Sequence, residues 1–155
     1  MAIQKLPGGT RGGRPAPGFL NKIMMPLMIR IHRRQGDKFS GMNLLYLTTV
    51  GAKSGQKRTN PVARFDDPSG GWVIVASAGG ALTHPAWYHN VVAHPDQVWA
   101  EVSGTNHHVN VQQLDGEERK LAWTRVVQDA PRFQGYTKKT DRQLPVLRLT
   151  PTTEA

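Results

Sequence analysis

The chain has 155 residues, of which 38% are hydrophobic and 20% are charged, and it contains no cysteine. This length supports one domain with a sizeable core, and the lack of cysteine excludes a disulfide framework, a thiolate nucleophile and a Cys-ligated metal. The net charge of +9 is uneven, because residues 1–38 hold eight Lys or Arg against one acidic residue and so carry +7 of it. A strongly basic N-terminal segment, followed by a remainder in which positive and negative charges nearly cancel, indicates a local electrostatic role.

Residues 1–18 are rich in glycine and proline, so they can bury little apolar surface and are predicted to be a flexible basic tail. They lack the continuous apolar run of a secretory signal, and we therefore expect a cytoplasmic protein. Residues 19–38 are predicted to follow as a basic amphipathic helix, and residues 39–155 as the folded domain.

The segment 19–34 has apolar residues at three- and four-residue spacing, which predicts a helix with one apolar face. That face consists of Phe19, Leu20, Ile23, Met24, Leu27, Met28 and Ile31. Pro26 should kink the helix or begin a shorter one. The apolar run is shorter than the roughly 20 residues that cross a bilayer. The face therefore either packs on the domain or lies on an anionic membrane surface, with the basic side chains at the headgroups.

From residue 43 onward, β-rich runs alternate with turns that contain glycine and proline. The first three strands should form an antiparallel meander, with Pro61 at a sheet edge or a bulge. The pattern as a whole predicts an α+β fold with a small barrel or barrel-like sheet. Strands are predicted over 43–50, 58–65, 72–77, 97–102, 107–114 and 144–149, and helices over 84–93 and 115–128.

The turn at residues 51–58, GAKSGQKR, combines two glycines with three cations. It does not fit a nucleotide-triphosphate loop, because its lysine precedes the Ser-Gly pair and a strand follows instead of a helix. Its backbone N–H groups and the side chains of Lys53, Lys57 and Arg58 suit a hairpin that binds an anion. An ordinary solvated hairpin explains the same residues equally well.

A second cluster lies between residues 76 and 90, where a strand end, a Gly-Gly loop and a helix start follow one another. These elements bring exposed N–H donors close to aromatic rings, which suits a flat ligand that carries a phosphate. The alternative for Trp87 is a structural side chain that plugs one end of the barrel.

Other chemistries have little support in the sequence. His84, His89 and His94 are five residues apart and do not share a helix face, so no metal site is expected. There is no Ser-His-Asp pattern, nucleophile elbow or close pair of carboxylates. Nucleic-acid binding rests on charge alone, since no interleaved aromatic face accompanies it.

Three segments in series resemble the deazaflavin-dependent nitroreductase and quinone reductase family of split β-barrel oxidoreductases. These enzymes use coenzyme F(420), an 8-hydroxy-5-deazaflavin. The segments are LLYLTTVGAKSGQKRTNPVARF (44–65), WVIVASAGGALTHPAWYHNVVAHP (72–95) and GYTKKTDRQLPVLRLTP (135–151). The resemblance implies an FMN-binding-like split β-barrel of about six mainly antiparallel strands with interspersed helices. It also implies hydride transfer from the reduced deazaflavin to a quinone, enone or nitro acceptor.

The resemblance further implies which residues bind the cofactor and the substrate. The phosphate and acidic tail would be received by Lys53, Ser54, Gly55 and Arg58. The ring and ribityl chain would be lined by Thr59, Asn60, Pro61, Val75, Ala76 and Ser77, beside the loop at Gly79 and Gly80. The helix start, with Pro85, Trp87, Tyr88 and Asn90, would close over the cofactor, and Tyr136 would face the substrate.

Three alternatives stay open at this point. The first is an FMN-dependent oxidoreductase of related fold. The second is a non-catalytic module that holds the cofactor or a lipid, and the third is a basic nucleic-acid binder. Within the deazaflavin interpretation, an apolar acceptor such as menaquinone gives residues 19–34 a function, because the segment would bring the barrel mouth to the inner face of the cell membrane.

Overall fold

A computed structural model describes residues 3–13, 18–39 and 41–152 of the chain, with the side chains of residues 18–24 outside the description. The sequence predictions for the side chains of Phe19, Leu20, Ile23 and Met24 therefore lie outside the described residues.

Within the described residues there are four α-helices and eight strands, and two of the strands have only two residues each. The helices are α1 (Gly18–Arg34), α2 (Ala86–Ala93), α3 (Gly116–Asp129) and α4 (Arg132–Lys139). The strands are β1 (Lys38–Phe39), β2 (Met42–Val50), β3 (Lys57–Ala63), β4 (Phe65–Asp66), β5 (Trp72–Val75), β6 (Trp99–Val102), β7 (Thr105–Gln113) and β8 (Val146–Pro151).

All strands belong to one antiparallel sheet in the order β1-β2-β6-β7-β8-β5-β4, with β3 paired to β2. The predicted α+β class and mainly antiparallel barrel-like sheet are confirmed. The described pairings leave β3 as an edge strand, as Pro61 predicts, because a residue without an N–H group is tolerated there. The sheet is therefore split between β3 and β5.

The predicted meander of the first three strands is wrong at its third member. β2 and β3 form the expected hairpin, from Val50 opposite Lys57 to Leu44 opposite Ala63. β5, however, pairs with β4 and with the C-terminal strand β8. The reason is burial on both faces of β5, whose short apolar sequence WVIV needs a partner inside the sheet.

The two faces of β5 contact two separate cores. Ile74 belongs to the inner core, which lies between the inward faces of the sheet and helix α2. Val73 and Val75 belong to an outer core, which α3 and α4 cover with Val126 and Phe133. The sequence analysis did not predict α4, whose Gly135 and several polar residues weaken the helical pattern.

Helix α1 is continuous through Pro26, so the predicted alternative of a shorter helix that begins there is wrong. Its predicted apolar face is partly wrong: Leu27 and Ile31 are 55% and 44% exposed, whereas Met28 and His32 turn toward the domain. This difference amounts to a rotation of the buried stripe by about one residue, or about 100°.

The C-terminal end of α1 is fixed to the sheet by a chain of polar contacts. Arg33 pairs with Glu101 at 3.0 Å, and its guanidinium lies 4.9 Å from the ring centroid of Tyr46. The Tyr46 hydroxyl donates a hydrogen bond of 2.6 Å to Asp37. Burial, helped by that carboxylate, raises the pKa of Tyr46, so the hydroxyl keeps its proton.

Residues 3–13 lie across the domain and contact the loop after β5 and the segment after α4. Gly9 donates to the Leu82 carbonyl at 2.8 Å, and Gly13 and Ala81 form a parallel bridge. Asp141 accepts hydrogen bonds from the backbone and hydroxyl of Thr10 and from the Arg11 N–H. These bonds, the Thr10 hydroxyl first, lower the pKa of Asp141 to about 2.

Candidate cofactor site

A cavity of about 320 Å³ occupies the split between β3 and β5. Helices α1 and α4 and the start of α2 complete its walls. The lining is mostly apolar and consists of Met25, Met28, His32, Phe39, Met42, Leu44, Pro61, Val62, Ala63, Val75, Ser77, Ala78, Gly79, Pro85, Trp87, Phe133 and Tyr136. The volume and the few polar groups are typical of a site for a flat organic molecule, because ligand pockets fill roughly 300–1,000 Å³.

Seven of the residues that the sequence singles out line this cavity together: Pro61, Val75, Ser77, Gly79, Pro85, Trp87 and Tyr136. They come from β3, the β5 end, α2 and α4, which are distant in sequence. Trp87 also belongs to the inner core, at 8% exposure, so its side chain both packs in the core and lines the cavity.

Four others are buried beside the cavity without lining it: Ala76, Gly80, Tyr88 and Asn90. Tyr88 is fully buried, and its hydroxyl donates to Gln113 at 2.6 Å and accepts from the Leu6 N–H. Burial raises the pKa of this hydroxyl. The geometry therefore assigns Tyr88 to the core and to the attachment of the N-terminal segment, and gives no support to direct cofactor contact.

The turn at 51–58 is exposed from Ala52 to Arg58, and several of its N–H groups already have protein acceptors. Gly51 donates to the Gln56 carbonyl, Gly55 to the Gly51 carbonyl, and Gln56 to the Ser54 hydroxyl. Fewer backbone N–H groups therefore remain to bind an anion than the sequence predicts. Anion binding by the turn depends mainly on its cationic side chains.

Asn90 explains how this exposed turn is held in place. Its Oδ1 accepts from the Ala52 N–H at 3.0 Å, and its Nδ2 donates to the Thr49 hydroxyl at 3.1 Å. The buried amide thus ties α2 to the end of β2. Its contribution to a ligand site is to position the turn.

Strand β3 connects the turn to the cavity. Arg58, Thr59 and Asn60 precede Pro61 along the strand, so Arg58 lies about 10 Å from the cavity wall at the usual rise per residue. Adjacent side chains point to opposite faces of a strand. The ammonium of Lys57 lies 4.4 Å from the ring centroid of Trp99 across β2, which places it on the face opposite to Arg58.

The loop after β5 has an uncommon backbone. Ala78, Gly79 and Gly80 have φ values of 47°, 63° and 83°, in the left-handed region that favours glycine. A Cβ at Gly80 would lie 3.0 Å from the Lys139 Cβ, so α4 packs closely there. Non-glycine residues in this conformation concentrate at functional sites, and Ala78 lines the cavity.

Arg142 is bonded to this loop and is 96% buried, which is unusual for a charged side chain. Its guanidinium donates to the carbonyl oxygens of Ala76, Ser77 and Ala81 at 2.7–3.1 Å. Its Nη1 also donates to the His84 Nδ1 at 2.7 Å. Four bonds to fixed acceptors compensate for removing the cation from water and set the position of the cavity wall.

His84 joins this network to the N-terminal segment. Because its Nδ1 accepts from Arg142, the proton of the neutral ring lies on Nε2, which donates to the Leu6 and Pro7 carbonyls at 2.9 and 3.1 Å. Burial, with the nearby Arg142 charge, lowers the pKa of His84, and burial also lowers that of His89. The His84 ring is therefore neutral near pH 7.

Sequence reasoning missed two important residues. Arg142 lies in a polar segment without periodicity, so no local signal marked it as buried. His32 is 95% buried and lines the cavity, seven residues after Met25 and four after Met28. That spacing is compatible with one face of a helix. The neighbouring face with Leu27 and Ile31 is more apolar, so the sequence pattern predicts that face to be the buried one.

The described residues contain no group of three His, Asp or Glu side chains that could hold a metal ion. Among the same residues, no helix has the length and apolar character needed to cross a membrane.

The model of the F420H(2)-dependent quinone reductase family matches residues 23–151 of the chain. An F420H(2)-dependent quinone reductase of Mycobacterium tuberculosis is 38% identical over 110 residues, which cover 68% of this chain and 72% of that protein.

Two solved structures have the same fold. The structure of an F420-H2 dependent reductase is 38% identical and has a TM-score of 0.62, over 69% of this chain and 93% of the solved one. A domain-swapped dimer is 34% identical and has a TM-score of 0.64, over 81% and 95%. The predicted split β-barrel is therefore confirmed.

Proposed function

The chain belongs to the F420H(2)-dependent quinone reductase family, and we propose that the split cavity and the cationic turn together hold coenzyme F(420) while a quinone is reduced. The family membership confirms the resemblance that the three sequence segments carry. It makes the chain an oxidoreductase and the deazaflavin its cofactor. The observation that carries the site assignment is the continuity of the apolar cavity with the charged turn along β3.

The residues present fit the coenzyme's two chemically different parts. A flat ring requires an apolar slot, and Pro61, Val75 and Trp87 supply one. A phosphate with an acidic tail requires cations in water, and Lys53 and Arg58 are exposed at the other end of β3. Coenzyme F(420) when bound supplies a hydride from C5 of its reduced ring.

The chain's own contribution is orientation and exclusion of water. The apolar walls suit the flat ring of the cofactor and an apolar acceptor beside it, and helix α1 contributes Met25 and Met28 to the lining. Hydride transfer needs a short, aligned approach of the donor carbon and the accepting atom, so a rigid wall favours it. The Arg142 network supplies that rigidity through its hydrogen bonds to the carbonyl oxygens of Ala76 and Ser77.

A binding and single-turnover experiment tests the assignment. We expect the purified protein to bind reduced coenzyme F(420) and to oxidise it when menadione is added, followed by absorbance of the deazaflavin. Ser77→Trp should fill the cavity and abolish both signals, whereas Thr124→Trp, at an exposed site on α3, should leave them unchanged. Binding without oxidation would favour a non-catalytic module, and tighter binding of FMN would favour the flavin alternative.

The outer surface of α1 supports a proposal for the acceptor and the cellular location. Leu27, Ile31 and Phe39 are 44–55% exposed, beside exposed Arg30 and Arg34. Apolar side chains bordered by cations match the boundary between anionic headgroups and acyl chains. The protein is then cytoplasmic and peripheral at the inner face of the cell membrane, with residues 19–34 against the lipid and menaquinone as the acceptor.

Flotation with vesicles that contain anionic lipid tests this location. Leu27→Ser with Ile31→Ser should reduce the bound fraction at least severalfold, because both apolar side chains are lost from the surface. Leu121→Ser, which removes a 58% exposed leucine from α3, is the matched control and should bind like the wild type. Equal flotation of all three proteins, or none by the wild type, would remove the membrane assignment and leave the cofactor assignment standing.

A further inference from the structure

The Nδ1 atom of His32 is buried and has no hydrogen-bond partner. Among the described residues, three other buried polar atoms share this condition, on Asp67, Arg119 and Arg148, but each of those side chains makes a hydrogen bond through another atom. None of those three side chains lines the split cavity, whereas His32 does. A buried polar atom without a partner is costly, and the side chain that carries this one lies at the wall of the cavity.

The position of His32 is fixed from two sides. Its carbonyl accepts hydrogen bonds from the N–H groups of Gln35 and Asp37, which close the end of α1. Its ring makes an edge-to-face contact with Phe39, with centroids 5.2 Å apart. The Arg33–Glu101 pair holds the same helical turn on the sheet. The position of the imidazole is therefore restrained, and the cavity lining around it is mostly apolar.

We propose that His32 donates a hydrogen bond, and then a proton, to the carbonyl oxygen of the quinone acceptor. This inference rests on the proposed function. One carbonyl oxygen of the quinone gains a hydride, and with it two electrons, as the C5–H bond of the reduced deazaflavin breaks; the ring is oxidised and gives its remaining proton to solvent, and the other carbonyl oxygen takes the proton of His32. His32 supplies the second hydrogen as a proton, the quinone leaves as hydroquinone, and the imidazole is reprotonated from solvent.

The alternatives on the cavity wall are few. Among the described lining residues, the side chains with an N–H or O–H group are those of His32, Ser77, Trp87 and Tyr136. Of the charged groups next to His32, Arg33 is paired with Glu101, and Asp37 accepts from Tyr46. Imidazole gains and loses protons near neutral pH, whereas a phenol does so near pH 10, so histidine is the better matched acid.

Rapid mixing of menadione with the protein loaded with reduced coenzyme F(420) tests the proposal. His32→Phe keeps an aromatic ring without nitrogen, and we expect it to bind the coenzyme like the wild type but to oxidise it about a hundredfold more slowly. The oxidation rate should also depend less on pH in this variant than in the wild type. His32→Asn retains a hydrogen-bond donor near Nδ1. Its affinity for menadione should therefore be higher than that of His32→Phe, but the wild-type pH dependence should not return.

A readout without turnover separates contact from a structural effect. With oxidised coenzyme bound, menadione should shift the imidazole nitrogen resonances of His32 in protein labelled with ¹⁵N-histidine, and the shifted signal should be missing in His32→Phe. His94→Asn, on the outer end of α2, is the matched control and should retain both the rate and the shift.

An unchanged rate and pH profile in His32→Phe would overturn the proposal and leave the proposed function intact, as would saturation by menadione without a shift at His32. A wild-type protein that fails to bind the coenzyme or to reduce menadione would instead defeat the proposed function, and the role of His32 with it.

Discussion

The cavity between β3 and β5 is lined mostly by buried or half-buried groups, whereas the turn at residues 51–58 is exposed at every residue after Gly51. Behind the cavity, Arg142 makes four hydrogen bonds to fixed acceptors. In the turn, Lys53 and Arg58 extend into solvent. The difference corresponds to two tasks, because hydride transfer needs a ring held in a fixed geometry, while an acidic tail needs only opposite charge within reach. Changes behind the cavity should therefore cost stability, and changes in the turn should cost affinity.

Arg142→Met should have the largest effect on stability. The substitution leaves the carbonyl oxygens of Ala76, Ser77 and Ala81 without their donor in a buried site. We expect the free energy of unfolding to fall by about 3 kcal/mol or more, measured by urea denaturation. Arg125→Met removes an exposed arginine from α3 and should change it by less than about 0.5 kcal/mol. Similar stabilities for the two variants would contradict the assignment of Arg142 as the support of the cavity wall.

A pair of glycine substitutions separates the two regions at equal conformational cost. Gly79 in the cavity and Gly55 in the turn have φ values of 63° and 71°, and an added Cβ would meet nothing within 4 Å at either position. Gly79→Ala and Gly55→Ala should each lower the free energy of unfolding by about 1 kcal/mol. Only Gly79→Ala should also weaken binding of the deazaflavin ring, measured by absorbance titration. Equal binding by the two variants would place the ring elsewhere.

The smallest effect is a pH dependence that belongs to the cavity side alone. Because the pKa values of His84 and His89 are lowered in the folded state, the unfolded chain binds more protons below the ordinary histidine pKa of about 6.5. The free energy of unfolding should be at its full value above that pH and decrease as the pH falls through it. Urea denaturation across this range should show the decrease in the wild type and a smaller one in His84→Gln. A stability that rises on acidification would contradict the neutral, hydrogen-bonded His84.

Local patterns predicted most elements but not their long-range pairing. The β2–β3 hairpin followed from two apolar runs around a glycine turn, and the edge position of β3 followed from Pro61. The pairing of β5 with β8 depends on contacts between residues more than 70 positions apart, which no local signal encodes. The path of residues 3–13 depends likewise on Tyr88 and Asp141, far along the chain.

The candidate site divides in the same way. Pro61, Ser77 and Trp87 were named from motif resemblance, and the fold brings them to one cavity. Tyr88 and Asn90 were named with them because motif positions do not reveal which side of a short helix faces the core. His32 and Arg142 were missed since their importance comes from burial and from partners in other elements.

The division of labour between cavity and turn is tested most directly by the affinities of two ligands for two neighbouring variants. The ligands are whole coenzyme F(420) and its deazaflavin chromophore without the phosphate and acidic tail. Arg58→Ala and Lys57→Ala remove one charge each from adjacent positions of β3, but the Lys57 ammonium lies over Trp99. We expect Arg58→Ala to bind the whole coenzyme about tenfold more weakly and the chromophore as tightly as the wild type, with Lys57→Ala unchanged toward both. Equal losses for both ligands, or for both variants, would contradict the separate sites for ring and tail.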